Sequence, residues 1–82
     1  MVNVIYDDSF IRQVQKVKDA SFKERVKKLV EKIIVSPDVG KPMRYERKGS
    51  REVYLPPYRL MYAYLPEENK LIFLDMYHKD EQ

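Results

Sequence analysis

The sequence predicts an α+β domain in which two N-terminal helices pack on a mainly antiparallel sheet, in the order strand, helix, helix, strand, strand, strand. Three observations predict it. Apolar residues recur at helical spacing between positions 22 and 34, the C-terminal third alternates with a period of two, and turn-forming residues at Pro56-Pro57 and Pro66 to Asn69 divide the alternating segments. Nothing in the chain reads as a repeat, a low-complexity segment or a linker, so residues 1–82 are expected to form one domain.

Val2, Val4 and Tyr6 alternate with polar Asn3 and Asp7, which predicts a short first strand with Ile5 on its other face. Ser9 then stands as a helix N-cap, and Phe10, Val14 and Val17 follow at i, i+4, i+7 with Ile11 beside them; this helix is expected to stop near Asp19-Ala20. Ser21 with Glu24 three residues on forms a capping-box signature for a second helix. Its apolar stripe is Phe22, Val26, Leu29, Val30, Ile33 and Ile34, and Pro37 closes it. Lys23, Arg25, Lys27, Lys28 and Lys32 occupy the remaining positions and read as a solvated helix face.

After a loop around Val39-Gly40, Met43 to Lys48 reads as a possible strand broken by Gly49-Ser50. Arg51 to Leu55 places Val53 and Leu55 on one face. Tyr58 to Leu65 sets Tyr58, Leu60, Tyr62 and Tyr64 against Arg59, Met61, Ala63 and Leu65. Leu71 to Tyr77 is apolar except for Asp75, the pattern of a central strand covered on both sides.

Composition narrows the chemistry. The 82 residues contain no cysteine and one histidine, which excludes a disulfide framework, a thiol nucleophile and a zinc site of the usual kind. No metal and no cofactor is expected. The acidic N-terminus and the short apolar runs predict a cytoplasmic protein with no membrane association. The net charge of +3 is unevenly spread: Lys41, Arg44, Arg47, Lys48, Arg51 and Arg59 cluster against Glu46 and Glu52. Arg59 enters a strand directly after the Pro56-Pro57 turn, where a guanidinium can meet a phosphate or pair across the sheet with Glu52 or Asp75.

The element order, the chain length, the YRLMY strand after a tight turn and a last strand running into Tyr77-His78-Lys79 together resemble the RelE/ParE toxin superfamily of toxin–antitoxin systems. The resemblance spans nearly the whole chain and implies a translation-inhibiting toxin that cleaves mRNA, with ribosome dependence expected. It equally contains ParE-like inhibitors of DNA gyrase and leaves room for a non-catalytic binding relative, or for a purely structural role beside an antitoxin. The implied partners are a small cognate antitoxin in a hetero-oligomer and, for a nuclease, mRNA and the ribosome.

By the same resemblance, Arg59 matches the arginine that contacts the scissile phosphate. The preceding strand, which supplies catalytic lysines or an arginine in the nuclease members, here carries Glu52 and Tyr54 with Arg51 just outside. His78 and Lys79 fall where the family places an arginine, lysine or histidine, and Asp80-Glu81-Gln82 holds no counterpart of its frequent terminal aromatic.

Cleavage of RNA by its own 2′-hydroxyl needs a base, cationic stabilisation of the crowded phosphate and an acid for the leaving oxygen. Arg59 suits the stabilising role, and His78, the only side chain here of the type whose unperturbed pKa lies near neutrality, is the expected general acid or base unless it is an ordinary surface residue. Lys79, Arg51, Arg47 and Lys48 are expected to hold neighbouring phosphates, and Tyr54, Tyr58 or Tyr77 to stack on a base. Tyr62 and Tyr64 share a face with Leu60 and read as core. Asp75 can neutralise Arg59, accept a backbone hydrogen bond or orient His78.

Overall fold

The computed structural model describes residues 2–44 and 46–81, and its elements are β1 (Asn3–Tyr6), α1 (Asp8–Lys16), α2 (Ala20–Val35), β2 (Lys41–Pro42), β3 (Ser50–Leu55), β4 (Tyr58–Leu65) and β5 (Lys70–His78). The fold is α+β, as the periodicities require. One sheet runs in the order β1-β5-β4-β3-β2; β1 lies parallel to β5 and every other pair is antiparallel. No described helix is long and apolar enough to cross a membrane.

Both helices start earlier than the serines suggested. Asp7 caps α1 by accepting the Ser9 N–H at 3.1 Å, and Asp19 caps α2 by accepting the N–H groups of Ser21 and Phe22 at 2.9 and 3.3 Å. In each case an aspartate two residues upstream outcompetes the serine, because a carboxylate satisfies the orphan N–H groups and also faces the positive end of the helix dipole. The first helix also ends sooner than expected, with Val17 as its C-cap. Met43 to Lys48 is not a strand: the β-pairing lies at Lys41 and Pro42, opposite Glu52 and Arg51, and the described residues from 43 to 49 turn back toward β3. Tyr45 lies outside the described residues. Gly49 makes this return possible at φ +82°, where an added Cβ would stand 2.6 Å from the Tyr64 carbonyl oxygen.

β3 and β4 meet at the Pro56-Pro57 turn, whose joining peptide is cis. Even-numbered residues of β4 face the helices. Leu60 and Tyr62 are fully buried and pack with Leu71, Phe73 and Met76 of β5 against Phe10 of α1 and Phe22, Val26 and Ile33 of α2. The core positions of β5 are spaced by two and then by three residues. A bulge accommodates this: Phe73 pairs with Tyr62 and Asp75 with Met61, so Leu74 and Asp75 both stand opposite Met61.

The expectation that β5 is covered on both sides is corrected by this arrangement. Helices cover one face only, and the long apolar run reflects the bulge, which turns Leu74 under the rim formed by Asp7, Ser9 and Arg47. The helix-free face carries Glu52 and Tyr54 of β3, Arg59 and Met61 of β4, and Asp75 and Tyr77 of β5.

Candidate functional site

The helix-free face owes its chemistry to strand parity. Arg59 pairs in register with Tyr54 on one side and Tyr77 on the other, so all three side chains share that face, with Glu52 two residues along β3 from Tyr54. The Arg59 Nη1 donates to Glu52 Oε1 at 3.2 Å, and the Tyr77 hydroxyl donates to Glu52 Oε2 at 3.4 Å. The Arg59 guanidinium lies 5.9 Å from the centre of the Tyr54 ring, and Lys79 Nζ reaches the same ring at 5.7 Å. Tyr54 is 52% exposed, leaving ring surface open to a ligand beside two cations. Arg59 Nε is buried and without a hydrogen-bond partner, so the guanidinium is held by Glu52 through one edge only.

Four of the expected site residues thus converge: Arg59, Tyr54, Tyr77 and Lys79. Glu52 completes the group, and its place beside Arg59 was legible as a cross-strand ion pair. Of the two partners left open for Arg59, Glu52 is the one found. Asp75 instead uses Oδ1 to accept the Met76 N–H at 2.8 Å.

Arg59 and His78 are not brought together. His78 pairs in register with Tyr58 and sets its ring edge-on to the Tyr58 ring at 5.5 Å, beside Phe22 of α2, which places it on the helix side of the sheet. Its Nδ1 accepts the Asp80 N–H at 3.3 Å. Alternation along β5 puts Tyr77, not His78, on the Arg59 face. Tyr58 faces the helices with His78 and is therefore no part of the exposed face.

Arg51 also leaves the expected site. It faces the helices opposite Tyr62 and donates to the carbonyls of Asp38 and Gly40 at 3.1 and 2.7 Å, fastening the loop after α2. The Tyr62 hydroxyl completes that fastening by donating to the Pro37 carbonyl at 2.7 Å and accepting the Gly40 N–H at 2.8 Å. Burial raises the Tyr62 hydroxyl pKa above its ordinary value, outweighing the lowering by the Gly40 hydrogen bond and by the Arg51 charge. Lys48 lies away on the β2–β3 connection, its ammonium 4.0 Å from Glu67 with both side chains highly exposed. Arg47 rims a shallow groove farther along the helix-free face.

A helix pair packed on a five-stranded, mostly antiparallel sheet is the architecture of the RelE toxin structures. The family model described as ParE toxin of type II toxin–antitoxin systems matches residues 4–82, and the chain belongs to that family. It is thus a toxin of the type II class. No curated protein matches the sequence. Among solved structures, the intact RelBE toxin–antitoxin complex of Escherichia coli is similar at TM-score 0.79 and 18% identity, with 100% of each chain covered. The RelBE2 toxin–antitoxin complex of Mycobacterium tuberculosis is similar at TM-score 0.79 and 24% identity, covering 95% of this chain and 98% of that one. The isolated RelE toxin of Escherichia coli matches at TM-score 0.80 and 15% identity, over 100% of this chain and 88% of that one. These likenesses concern the fold.

Proposed function

We propose that the protein is a cytoplasmic toxin that inhibits translation by cutting mRNA at the helix-free sheet face, in a ribosome-dependent reaction. The observation that carries the reading is the exposed Tyr54 ring with the Arg59 guanidinium 5.9 Å and the Lys79 ammonium 5.7 Å from its centre, on a sheet face free of helices. Aromatic faces interleaved with cations are a platform for single-stranded RNA, with the ring stacking on a base and the cations holding phosphates. Arg59 is the phosphate contact. Its planar guanidinium can exchange Glu52 for two phosphate oxygens and neutralise the charge that builds as the 2′-oxygen attacks phosphorus.

The proton acceptor in this reading is Glu52. It is the carboxylate already held beside Arg59, whereas His78 faces the helices. A phosphate entering at Arg59 frees Glu52 to take the 2′-hydroxyl proton; the 2′,3′-cyclic phosphate forms as the 5′-oxygen departs, protonated by Lys79 or through water. No metal or cofactor enters these steps. Arg47, on the groove farther along the face, is the remaining cation that this reading assigns to a neighbouring phosphate, and Lys48, paired with Glu67 on the β2–β3 connection, falls outside it. The partner in this reading is a small antitoxin, since the similar structures include toxin–antitoxin complexes, and a hetero-oligomer covering this face would neutralise its cations.

A second reading, a ParE-like gyrase inhibitor or other non-cutting binding protein, is favoured by the Glu52 pairing, which places an acid where a cation would serve a nuclease better. Induced expression with and without the antitoxin, followed by mapping of RNA ends, separates the two. Growth arrest accompanied by new cleavage sites in mRNA is expected. Growth arrest with intact RNA would leave only the second reading.

A further inference from the structure

Resting on the RNA reading above, we infer that Lys41 is a positioning residue of the reaction: it takes the Glu52 carboxylate over from Arg59 when a phosphate arrives. Lys41 stands directly opposite Glu52 in the β2–β3 register, so the two side chains share the helix-free face. Both line one groove, together with Pro42, Met43, Arg44 and Glu46. Because β3 lies between β2 and β4, Lys41 approaches Glu52 from the side away from Arg59.

Glu52 is fully engaged before substrate binds. Its Oε1 accepts from Arg59 at 3.2 Å and its Oε2 from the Tyr77 hydroxyl at 3.4 Å. Lys41 is exposed and, among the described residues, has no ion-pair partner. The opening step of the proposed reaction undoes this arrangement. When Arg59 turns to a phosphate, Oε1 loses its charged donor, and the long hydrogen bond from Tyr77 is what remains on the carboxylate. A base must be held within hydrogen-bond reach of the proton it takes, yet a carboxylate beside a phosphodiester is pushed away by its charge. A cation on the far side of Glu52 holds it against that repulsion.

Three charged groups border that side, and the register singles out one. Arg44 and Glu46 belong to the connection leaving β2 and line the same groove, one cation and one anion whose charges oppose each other. Of the three, Lys41 is the residue paired with Glu52. Side chains directly opposite on antiparallel strands have Cβ atoms about 4.5–5.5 Å apart, close enough for a lysine on its flexible stem to meet a carboxylate. Lys41 thus acts through Glu52, keeping the carboxylate at the face while the 2′-hydroxyl proton passes to it.

The test measures binding and cleavage separately on the full chain, with K41M, which removes the charge and keeps a stem, and K41R, which keeps the charge. Titration of fluorescent hexauridylate over a range of salt reads phosphate contacts, because each one lost flattens the logarithmic salt dependence by about 0.7. R59A is expected to flatten it by that amount and K41M to leave it as in wild type, an outcome that also shows K41M to be folded. In a ribosome-containing extract at saturating toxin, K41M is expected to cut mRNA roughly tenfold to hundredfold more slowly, the scale of a misplaced reacting group. K41R should restore most of the rate, and R44A should stay within a few-fold of wild type. A flattening by K41M equal to that by R59A would make Lys41 a phosphate contact and overturn the inference. So would cleavage by K41M at the wild-type rate, slowing by K41R as large as by K41M, or equal slowing by R44A, the sign of a diffuse charge effect. Each of these leaves wild-type cleavage, and with it the RNA reading, in place. An absence of new mRNA ends with the wild type overturns the reading and the inference together.

Discussion

Arg59 and Glu52 sit diagonally across neighbouring strands, their side chains 34% and 22% exposed, and that partial exposure decides what their pairing means. An ion pair so open to water is worth about 1 kcal/mol or less. Hydrogen bonds to a charged group contribute roughly 1.5–3 kcal/mol, and a phosphate can offer two to one guanidinium, so in the proposed reaction an RNA phosphate displaces Glu52. Replacing Glu52 with Gln therefore separates binding from chemistry. The variant should bind single-stranded RNA more tightly by fluorescence titration, because Arg59 is no longer neutralised, while cleaving it more slowly by about 10²–10⁴, the usual contribution of a positioned base. Tyr62 gives a second residue-scale expectation. Its pKa is raised in the folded state, so as pH climbs past the ordinary tyrosine value of 10.0 the unfolded chain loses that proton first and folding stability falls. Below that value the contribution is fully present. Urea unfolding from pH 8 to 11 should show a smaller alkaline loss in Y62F than in wild type, beneath an overall cost of about 1–3 kcal/mol for leaving the buried Gly40 N–H unpaired.

At the scale of elements, the caps and the bulge explain which expectations needed revision. Periodicity located both helices, but Asp7 and Ser9, like Asp19 and Ser21, offer two acceptable caps two residues apart, and the apolar stripe is compatible with either. Asp19→Ala should lower stability by about 1 kcal/mol in urea unfolding, whereas Ser21→Ala, within α2, should leave it nearly unchanged. The alternation of β4 was fully legible: Tyr58, Leu60 and Tyr62 face the helices and Arg59 faces away. What alternation within one strand cannot convey is the register between strands. Whether Tyr77 or His78 shares a face with Arg59 depends on the bulge at Leu74, which nothing in the run from Leu71 to Tyr77 marks, since Leu, Asp and Met at 74–76 fit an unbroken strand equally well. Arg51 was misplaced for a related reason. It precedes Val53 by two and so shares the core face, but its guanidinium still finds acceptors there in the loop carbonyls of Asp38 and Gly40.

Across the whole molecule the sheet divides structure from function. One face is spent on the core, where Phe73 stacks with Tyr6 at 5.3 Å and packs at 5.4 Å against Phe10, and where the loop after α2 is fastened by Tyr62 and Arg51. The other face is left without helices and carries Arg59, Glu52, Tyr54, Tyr77 and Lys79, with the groove of Ser50 and Asp75 alongside. Membership of the toxin family follows from the chain as a whole, whereas the proposed reaction rests on this one surface. In the proposed function the helix-free face, and not the helix side where His78 lies, performs the chemistry. The direct measurement is the rate of mRNA cleavage in a ribosome-containing extract for R59A and H78A against wild type. A loss of about 10²–10³ is expected for R59A, the scale of removing one transition-state donor, and a rate within a few-fold of wild type for H78A. Cleavage by R59A at the wild-type rate, or its abolition in H78A with the fold intact, would contradict it.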